Sequence, residues 1–179
     1  MSEEAELVAR AQQDPAAFAP LYQQYVRPIY GYCYQRLGTR ESAEDATSQV
    51  FIKALAALPR YKDRSFRSWL FTIAHHVVAD VHRKRPHLPL ADDWDVADGG
   101  PTPEEHALSA ESERSIRALL HHLTPDQREV VELRLAGLNS LEIAAVLKRR
   151  PGAIRGTQFR AYHRLRELLS QNKEAGDGI

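Results

Sequence analysis

The sequence predicts an all-α protein built from two small helical domains that a flexible acidic linker joins. Apolar residues recur at helical spacing along most of the 179 residues, and the alternating pattern of half-buried strands is nearly absent. Residues 86–104 break this pattern with four prolines, a Gly99-Gly100 pair and a run of aspartates. Such a segment buries too little apolar surface to offset the entropy of ordering it, which indicates a domain boundary.

The N-terminal half predicts three successive helices. Gly38 ends the first, which Pro28 is expected to kink, Pro59 ends the second, and the third runs from about Phe66 to Arg85. Apolar spacing predicts which residues face inward. They are Phe18, Leu21, Tyr22, Tyr25, Val26, Ile29 and Tyr30 in the first helix, Ala46, Val50, Phe51, Ala54, Leu55 and Leu58 in the second, and Phe66, Trp69, Leu70, Ile73, Val77 and Val81 in the third.

The C-terminal half carries helix-start signals. Thr124 precedes Pro125 and is followed after three residues by Gln127, which is the arrangement of a capping box. Asn139 stands in the same relation to Glu142. The inward stripes of the flanking helices are Ile116, Leu119, Leu120 and Leu123 and, after Pro151, Ile154, Gln158, Ala161, Leu165 and Leu168.

Opposite charges are segregated along the chain, although the formal net charge is zero. Residues 91–113 contain acids without any Lys or Arg, whereas residues 148–166 contain seven basic residues and no acid. A nucleic-acid binder can therefore look neutral on average, because the acidic segment offsets the basic one.

The basic segment coincides with a predicted helix-turn-helix, formed by helices 140–148 and 151–169 and a tight turn. In this motif the second helix enters the major groove of DNA, where arginines contact phosphates or base edges. The candidate arginines are Arg149, Arg150, Arg155 and Arg160. The alternative is a solvated basic helix in an ordinary bundle, which the absence of acids disfavours.

The outward face of the third helix is polar and basic and suits contact with a nucleic-acid backbone. The face carries Ser68, Thr72, His75, His76, Ala79, His82 and Arg83. The helix ends with His82-Arg83-Lys84-Arg85, and Arg60, Lys62, Arg64 and Arg67 precede this end in the sequence. Trp69 and Phe71 are placed to stack on unpaired bases. For Trp69, the spacing with Phe66 and Ile73 favours a position in the core instead.

The outward face of the second helix indicates a protein contact. It carries Asp45, Ser48, Gln49, Ile52 and Lys53. The isoleucine among polar groups is the signal, although single exposed apolar residues are common on soluble proteins.

Catalysis has no support in the sequence, because no activated nucleophile, glycine-rich phosphate loop or paired carboxylates stand out. His75, His76 and His82 lack the i, i+4 spacing of a helical zinc site, and Cys33 is the single cysteine. We therefore expect no metal and no cofactor. Without an apolar signal core or a run of ~20 apolar residues, we expect a cytoplasmic protein without membrane insertion.

Three stretches resemble the sigma-70 family, specifically its extracytoplasmic-function (group IV, ECF) members. They are the run from Phe18 through LYQQYVRPIYGYCYQRLGTRESAEDATSQVFIKALAALPRY, the segment FRSWLFTIAHHVVADVHRKR, and LTPDQREVVELRLAGLNSLEIAAVL with its following helix. The resemblance covers roughly residues 7–170. It implies a non-catalytic subunit that binds core RNA polymerase and directs promoter-specific initiation of transcription.

The resemblance also implies a division of the chain. Residues 1–85 would form a sigma2-like domain, 86–108 the acidic Pro/Gly-rich linker, and 109–170 a sigma4-like helix-turn-helix domain, followed by a disordered tail at 171–179.

The family implies a role for each candidate face. Asp45, Ser48, Gln49, Phe51 and Ile52 would dock on the clamp helices of the largest polymerase subunit. Arg67, Thr72, His75, His76, His82, Arg83, Lys84 and Arg85 would melt and read the −10 element. Arg149, Arg150, Arg155, Gln158, Phe159 and Arg160 would read the −35 element, in a domain that also holds the polymerase flap. An anti-sigma protein is a common further partner in the family.

Two other functions are compatible with part of the pattern. One is a stand-alone DNA-binding regulator whose N-terminal domain senses a signal or oligomerises, and the other is a helical interaction protein. The N-terminal half shows a basic helix and a polar docking face rather than a pocket or dimer face, which disfavours the first. The basic C-terminal segment argues against the second.

Overall fold

The computed structural model describes residues 3–62, 65–84 and 115–176, and within them the chain is helical without strands. The helices are α1 (Glu3–Gln13), α2 (Ala19–Leu37), α3 (Arg40–Ala57), α4 (Phe66–Lys84), α5 (115–121), α6 (Pro125–Leu135), α7 (Ser140–Leu147) and α8 (Pro151–Gly176), with short 3-10 turns at Pro15–Phe18 and Leu58–Arg60. The predicted all-α class is thereby confirmed. The predicted linker, with Arg85, lies outside the described residues.

The helix ends follow the local signals in the sequence. Gly38 closes α2 with a positive φ of 80° and donates its N–H to the carbonyl of Tyr34. Thr39 then caps α3 by accepting the Ser42 N–H. A kink was expected at Pro28. The helix α2 nevertheless continues through this residue as a single helix.

Both predicted capping boxes are present in the C-terminal half. The Thr124 hydroxyl accepts the N–H of Gln127, whose side chain accepts the Thr124 N–H in return. Asn139 and Glu142 make the same reciprocal pair at the start of α7. Each box satisfies two backbone N–H groups that a helix start otherwise leaves without a partner.

The core of the N-terminal half lies between α2, α3 and α4. Phe71 is fully buried and packs edge-on against Tyr32, with ring centroids 5.7 Å apart. The prediction that Phe71 stacks on unpaired bases is therefore wrong. The physical reason is that α4 packs against helices on several sides, so its buried stripe is wider than the spacing of apolar residues suggests.

Three residues predicted to face inward lie at the surface instead, and one of them is Ile116 in α5, which is 42% exposed. Tyr22 is 44% exposed and Leu55 is 40% exposed. The buried faces of α2 and α3 are completed by smaller neighbours such as Ala46 and Ala54, which let the helix axes approach closely. The larger side chains of Tyr22 and Leu55, at the edges of the apolar stripes of α2 and α3, therefore remain exposed to solvent.

One apolar core extends from the N-terminal helices into α6, α7 and α8. Val130, Leu133, Leu138, Ile143 and Ile154 belong to the same buried cluster as the core of α2–α4. A second, smaller cluster of Leu120, Leu123, Val131 and Ala161 lies between α5, α6 and α8. The helix-turn-helix is thus packed directly against the N-terminal helices.

The last helix is longer than predicted. It reaches Gly176 and so includes residues 171–176, which were predicted to belong to a disordered tail. Between Thr157 and Gly176 there is no glycine or proline to end the helix, and this explains the difference.

We expect Asn139→Ala to lower the free energy of unfolding by about 1 kcal/mol, because the start of α7 loses its side-chain acceptor. Urea denaturation followed by circular dichroism measures this change. Gln23→Ala, at an exposed position within α2, is the control and should change the free energy by less than about 0.5 kcal/mol. Equal stability of Asn139→Ala and the unmodified chain would contradict the role of this cap.

Candidate nucleic-acid and polymerase interfaces

The turn between α7 and α8 is short and basic. Lys148 ends α7 with a left-handed φ of 52°, and Arg149 donates its N–H to the carbonyl of Ala144 at 3.0 Å. Pro151 then starts α8, whose Ile154 and Ala161 are fully buried. This geometry confirms the predicted helix-turn-helix and fixes which side of α8 faces outward.

The outward side of α8 presents most of the predicted −35 residues. Arg155 and Arg160 are exposed, and Phe159 is 72% exposed. Gln158 is half-buried, and its side chain contacts the hydroxyls of Tyr162 at 2.9 Å and Ser140 at 3.3 Å. Two cations and an aromatic ring therefore share one accessible helical face, with Gln158 at its edge.

Arg149 is held by a partner in its own domain. Its guanidinium donates two hydrogen bonds to the carboxylate of Asp126 at 2.8 and 2.7 Å. These bonds keep the pKa of Asp126 below its ordinary value. Arg150 is exposed and makes no such pair with the residues that the structure describes, so it is the more accessible of the two turn arginines.

The predicted −10 residues on α4 divide into two groups. His76, Arg83 and Lys84 are exposed, and Arg83 donates to Asp80 at 2.7 Å. The others are partly buried: Arg67, Thr72, His75 and His82. The exposed group lies mainly at the C-terminal end of the helix, while the partly buried group extends along it.

The predicted docking face of α3 is exposed except for one residue. Asp45, Ser48 and Gln49 are exposed, and Ile52 is 69% exposed. Phe51 is buried beneath them, so its ring supports the face and does not form part of the accessible surface.

An apolar surface that the sequence pattern did not predict extends this face. Phe51 packs edge-on against Tyr22, with ring centroids 4.7 Å apart, and Tyr22 is itself exposed on the neighbouring helix. Leu55 lies one turn beyond Phe51 on α3 and is also exposed. Because both residues continue a helical apolar stripe, the sequence pattern alone assigned them to the core.

Known protein families match the N-terminal half and the helix-turn-helix half of the chain separately. The model of Sigma-70 region 2 matches residues 21–86, and the model of Sigma-70, region 4 matches residues 113–165. The chain is 39% identical over 171 residues to the ECF RNA polymerase sigma factor BldN of Streptomyces coelicolor. That alignment covers 92% of this chain and 65% of BldN.

Two further proteins are similar over most of their length. The ECF RNA polymerase sigma factor SigD of Mycobacterium tuberculosis (strain ATCC 25618 / H37Rv) is 40% identical over 158 residues, which cover 80% of this chain and 73% of SigD. The solved structure of CnrH in complex with the cytosolic domain of CnrY superposes with a TM-score of 0.71 at 26% identity. It covers 92% of this chain and 96% of CnrH.

The chain belongs to the sigma-70 family. Its relatives place it among the ECF sigma factors, which direct RNA polymerase to promoters and start transcription there. The region 2 match over α2–α4 decides against a stand-alone regulator with a sensing domain.

The helix-turn-helix half of this sigma factor covers part of the predicted −10 face. Arg67 donates to the carbonyl of Gly137 at 3.0 Å, and the Ser65 hydroxyl lies 3.1 Å from a carboxylate oxygen of Glu142. A cavity of about 470 Å³ lies beside these contacts and is lined by Trp69 and Leu141 among others. The two halves of the sigma factor thus meet along α4.

A charge cluster that is buried at Glu132 and partly exposed elsewhere joins α2, α4 and α6 of the sigma factor. Arg36 donates to Glu132 at 2.9 Å and lies 3.9 Å from Glu129. His75 Nδ1 lies 3.5 Å from the Glu129 carboxylate and 3.3 Å from the Tyr32 hydroxyl. Burial disfavours the Arg36 cation, but Tyr32, Glu132 and Glu129 together outweigh that effect and raise the pKa of Arg36. Burial also raises the pKa of Glu132, against the attraction of Arg36.

Two features are absent from the part of the sigma factor that the structure describes. Residues 3–62, 65–84 and 115–176 contain no group of three or more His, Cys, Asp or Glu side chains arranged to hold a metal ion. Within the same ranges, none of the helices is long and apolar enough to cross a membrane.

We expect the stability of this sigma factor to fall as the pH drops below about 6.5, partly because of His75 and His82. Burial lowers the pKa of both imidazoles, opposed at His75 by the Glu129 carboxylate. Their folded-state pKa lies below the unfolded value, so the stabilisation is present above the unfolded pKa and is lost as the pH falls through the folded pKa.

Urea denaturation across a pH series measures this dependence. The double variant His75→Gln, His82→Gln should show a shallower loss of stability between about pH 7.5 and pH 5.5 than the unmodified chain. The control His122→Gln changes an exposed histidine and should keep the original slope. An unchanged slope in the double variant would refute the assignment to these two side chains.

Proposed function

We propose that this sigma factor reads the −35 element with α8, reads the −10 element with α4 and docks on core polymerase through α3. The observation that carries the proposal is the exposed face of α8, where Arg155, Phe159 and Arg160 lie together above a buried stripe. We also propose two domains, residues 1–85 and 109–170, joined by the acidic segment 86–108. Run-off transcription with purified core polymerase over genomic promoter fragments tests the function as a whole.

For the −35 element, α8 enters the major groove with its exposed face toward the bases. Arg155 is suited to pair with guanine through two hydrogen bonds, and Phe159 offers apolar contact to a thymine methyl group. Arg150 and Arg160 contact phosphates on either side. Arg149 is held by Asp126, so its role is to position the turn as well as to contact the backbone.

For the −10 element, the exposed basic end of α4 binds the DNA backbone electrostatically. Arg83 and Lys84 supply charge there, and His76 is exposed one turn before Asp80. Thr72, His75 and His82 extend this surface along the helix, and Arg67 lies near the start of α4 on another side. Arg85 continues the basic end in the sequence and lies outside the described residues.

For core polymerase, α3 supplies a polar face with an apolar centre. Asp45, Ser48 and Gln49 surround Ile52, and the exposed Tyr22 extends the apolar part onto α2. An apolar anchor rimmed by polar groups is the usual composition of a protein interface. The proposed partner of this face is the clamp helices of the largest polymerase subunit. The proposed partner of the helix-turn-helix domain is the polymerase flap.

The sigma factor acts in our proposal as a specificity subunit without catalytic residues, cofactor or metal, in the cytoplasm where the polymerase works. An anti-sigma protein is a further proposed partner. Its support is the similarity to CnrH, which was solved in complex with the cytosolic domain of CnrY.

We expect the double variant Asp45→Arg, Gln49→Arg to bind core polymerase about tenfold more weakly, a loss of ~1.4 kcal/mol. Both side chains are exposed, so the fold should be retained, which circular dichroism checks. Glu6→Arg with Gln24→Arg is the matched control, because it adds the same charge at exposed positions of α1 and α2. Unchanged affinity of the first pair in a titration with core enzyme would count against this docking face.

We expect Arg155→Ala to reduce −35 base discrimination by ~1–3 kcal/mol, because it removes a contact to a base edge. Arg164→Ala should lower affinity with little change in sequence preference, since Arg164 lies further along α8 and pairs with Glu167 at 3.6 Å. Binding of both variants to a library of −35 sequences at matched salt measures the two effects. A wild-type preference profile for Arg155→Ala would show that the orientation of α8 on DNA is different.

A further inference from the structure

Two arginines of the helix-turn-helix, one in the turn and one in α8, are held by partners within their own domain. The guanidinium of Arg149 donates to both carboxylate oxygens of Asp126, at 2.8 and 2.7 Å. The guanidinium of Arg160 donates to the hydroxyl of Thr157 at 3.2 Å. Arg149 and, more weakly, Arg160 lower the pKa of the Asp126 carboxyl group. Both cations are therefore close enough to act on one carboxylate.

Gly156 gives the side chain of Arg160 room to lie against α8. Long side chains in a helix point back toward the preceding turn, so Arg160 extends over the residue four positions earlier. That residue is Gly156, and a Cβ added there would meet Nη1 of Arg160 at 3.4 Å. The guanidinium of Arg160 therefore lies between Gly156 and the Thr157 hydroxyl, in one defined place on the helix surface.

The ion pair of Asp126 with Arg149 is too exposed to contribute much to stability. The side chains are 60% and 34% exposed, respectively. Water screens charges at such exposure, so the pair stabilises the fold only slightly. Its two parallel hydrogen bonds nevertheless fix the plane and the direction of the guanidinium. The arrangement is thus better suited to orienting Arg149 than to holding the domain together.

Held arginines can still bind DNA, and they bind it at a lower entropic cost. A guanidinium carries more N–H donors than Asp126 or Thr157 accepts, so N–H groups remain for phosphate oxygens. A free arginine side chain loses conformational freedom when it binds, whereas a side chain that its own domain already holds has lost that freedom beforehand. Such preorganisation strengthens binding without adding a contact to DNA.

We propose that Asp126 and Thr157 are positioning residues for the −35 element, which hold Arg149 and Arg160 ready as a pair of phosphate-binding arginines. The inference rests on the proposed −35 role of α8. Phosphate contacts fix the register of a helix in the groove and do not read sequence. The pair therefore sets how tightly α8 binds, while Arg155 sets which bases are preferred.

The sign of one substitution tests the role of Asp126. Asp126→Asn removes a negative charge from the DNA-binding domain, and charge alone would then tighten DNA binding. Loss of the two-bond hold on Arg149 should instead weaken binding about fivefold. Fluorescence anisotropy measures it, with the sigma factor bound to core polymerase and a labelled promoter fragment that supports run-off transcription.

Glu6→Gln is the matched control for this substitution. It removes an exposed carboxylate from the first turn of α1, as Asp126→Asn removes one from the first turn of α6. The affinity for the promoter fragment should stay unchanged in the control.

Double variants separate positioning from a general effect on the fold. Asp126→Asn should cause no further loss in a chain that carries Arg149→Ala, because no guanidinium is left to hold. Thr157→Val keeps the shape of a buried side chain and should weaken binding about threefold, but not beside Arg160→Ala. Thr157→Ser restores the hydroxyl and should restore the affinity. Unlike Arg155→Ala, these variants should keep the −35 preference profile of the unmodified chain.

The outcomes that overturn the proposal are distinguishable. Equal or tighter binding of Asp126→Asn refutes its positioning role, and so does a loss that persists undiminished beside Arg149→Ala. Unchanged binding of Thr157→Val refutes the role of Thr157. A changed −35 preference profile in either variant refutes the assignment of the pair to phosphates. Absence of run-off transcription with the unmodified chain refutes the proposed function itself, and this inference with it.

Discussion

The ion pair between Arg36 and Glu132 is the interaction on which the arrangement of this sigma factor depends. It joins the end of α2 to the middle of α6, across 96 residues of sequence, and pairs a buried carboxylate with a guanidinium that is partly exposed. A pair of this kind contributes little net stability compared with apolar packing, but it tolerates very few alternative alignments. It therefore specifies how the two halves meet more than how strongly they adhere.

The surfaces of the molecule follow from that alignment. With α6 and α7 placed on α4, the basic end of α4 remains accessible while the face nearer Arg67 does not. The docking face of α3 and the outer face of α8 both remain exposed in the same arrangement. The proposed polymerase-docking face of α3 and the proposed −35 helix are thus accessible together, while part of the proposed −10 face of α4 is covered.

Local features of the fold were predictable from the sequence, and long-range ones were not. The capping boxes at Thr124 and Asn139 and the end of α2 at Gly38 depend on residues a few positions apart, so their chemistry can be recognised without the fold. The burial of Phe71 and the exposure of Tyr22 depend on which helices pack against α4 and α2. The pairing of Arg149 with Asp126 likewise joins segments whose proximity no periodic pattern reveals.

The left-handed backbone at Lys148 sets the mutational tolerance of the recognition turn. A lysine at a φ of 52° carries a steric cost that glycine would not, and asparagine would carry less of it. Threonine, valine and isoleucine fit this backbone poorly, because branching at Cβ crowds the following carbonyl. Substitutions of Lys148 during evolution should therefore favour Gly and Asn. The number of residues in the turn should be retained even where its positive charge is lost.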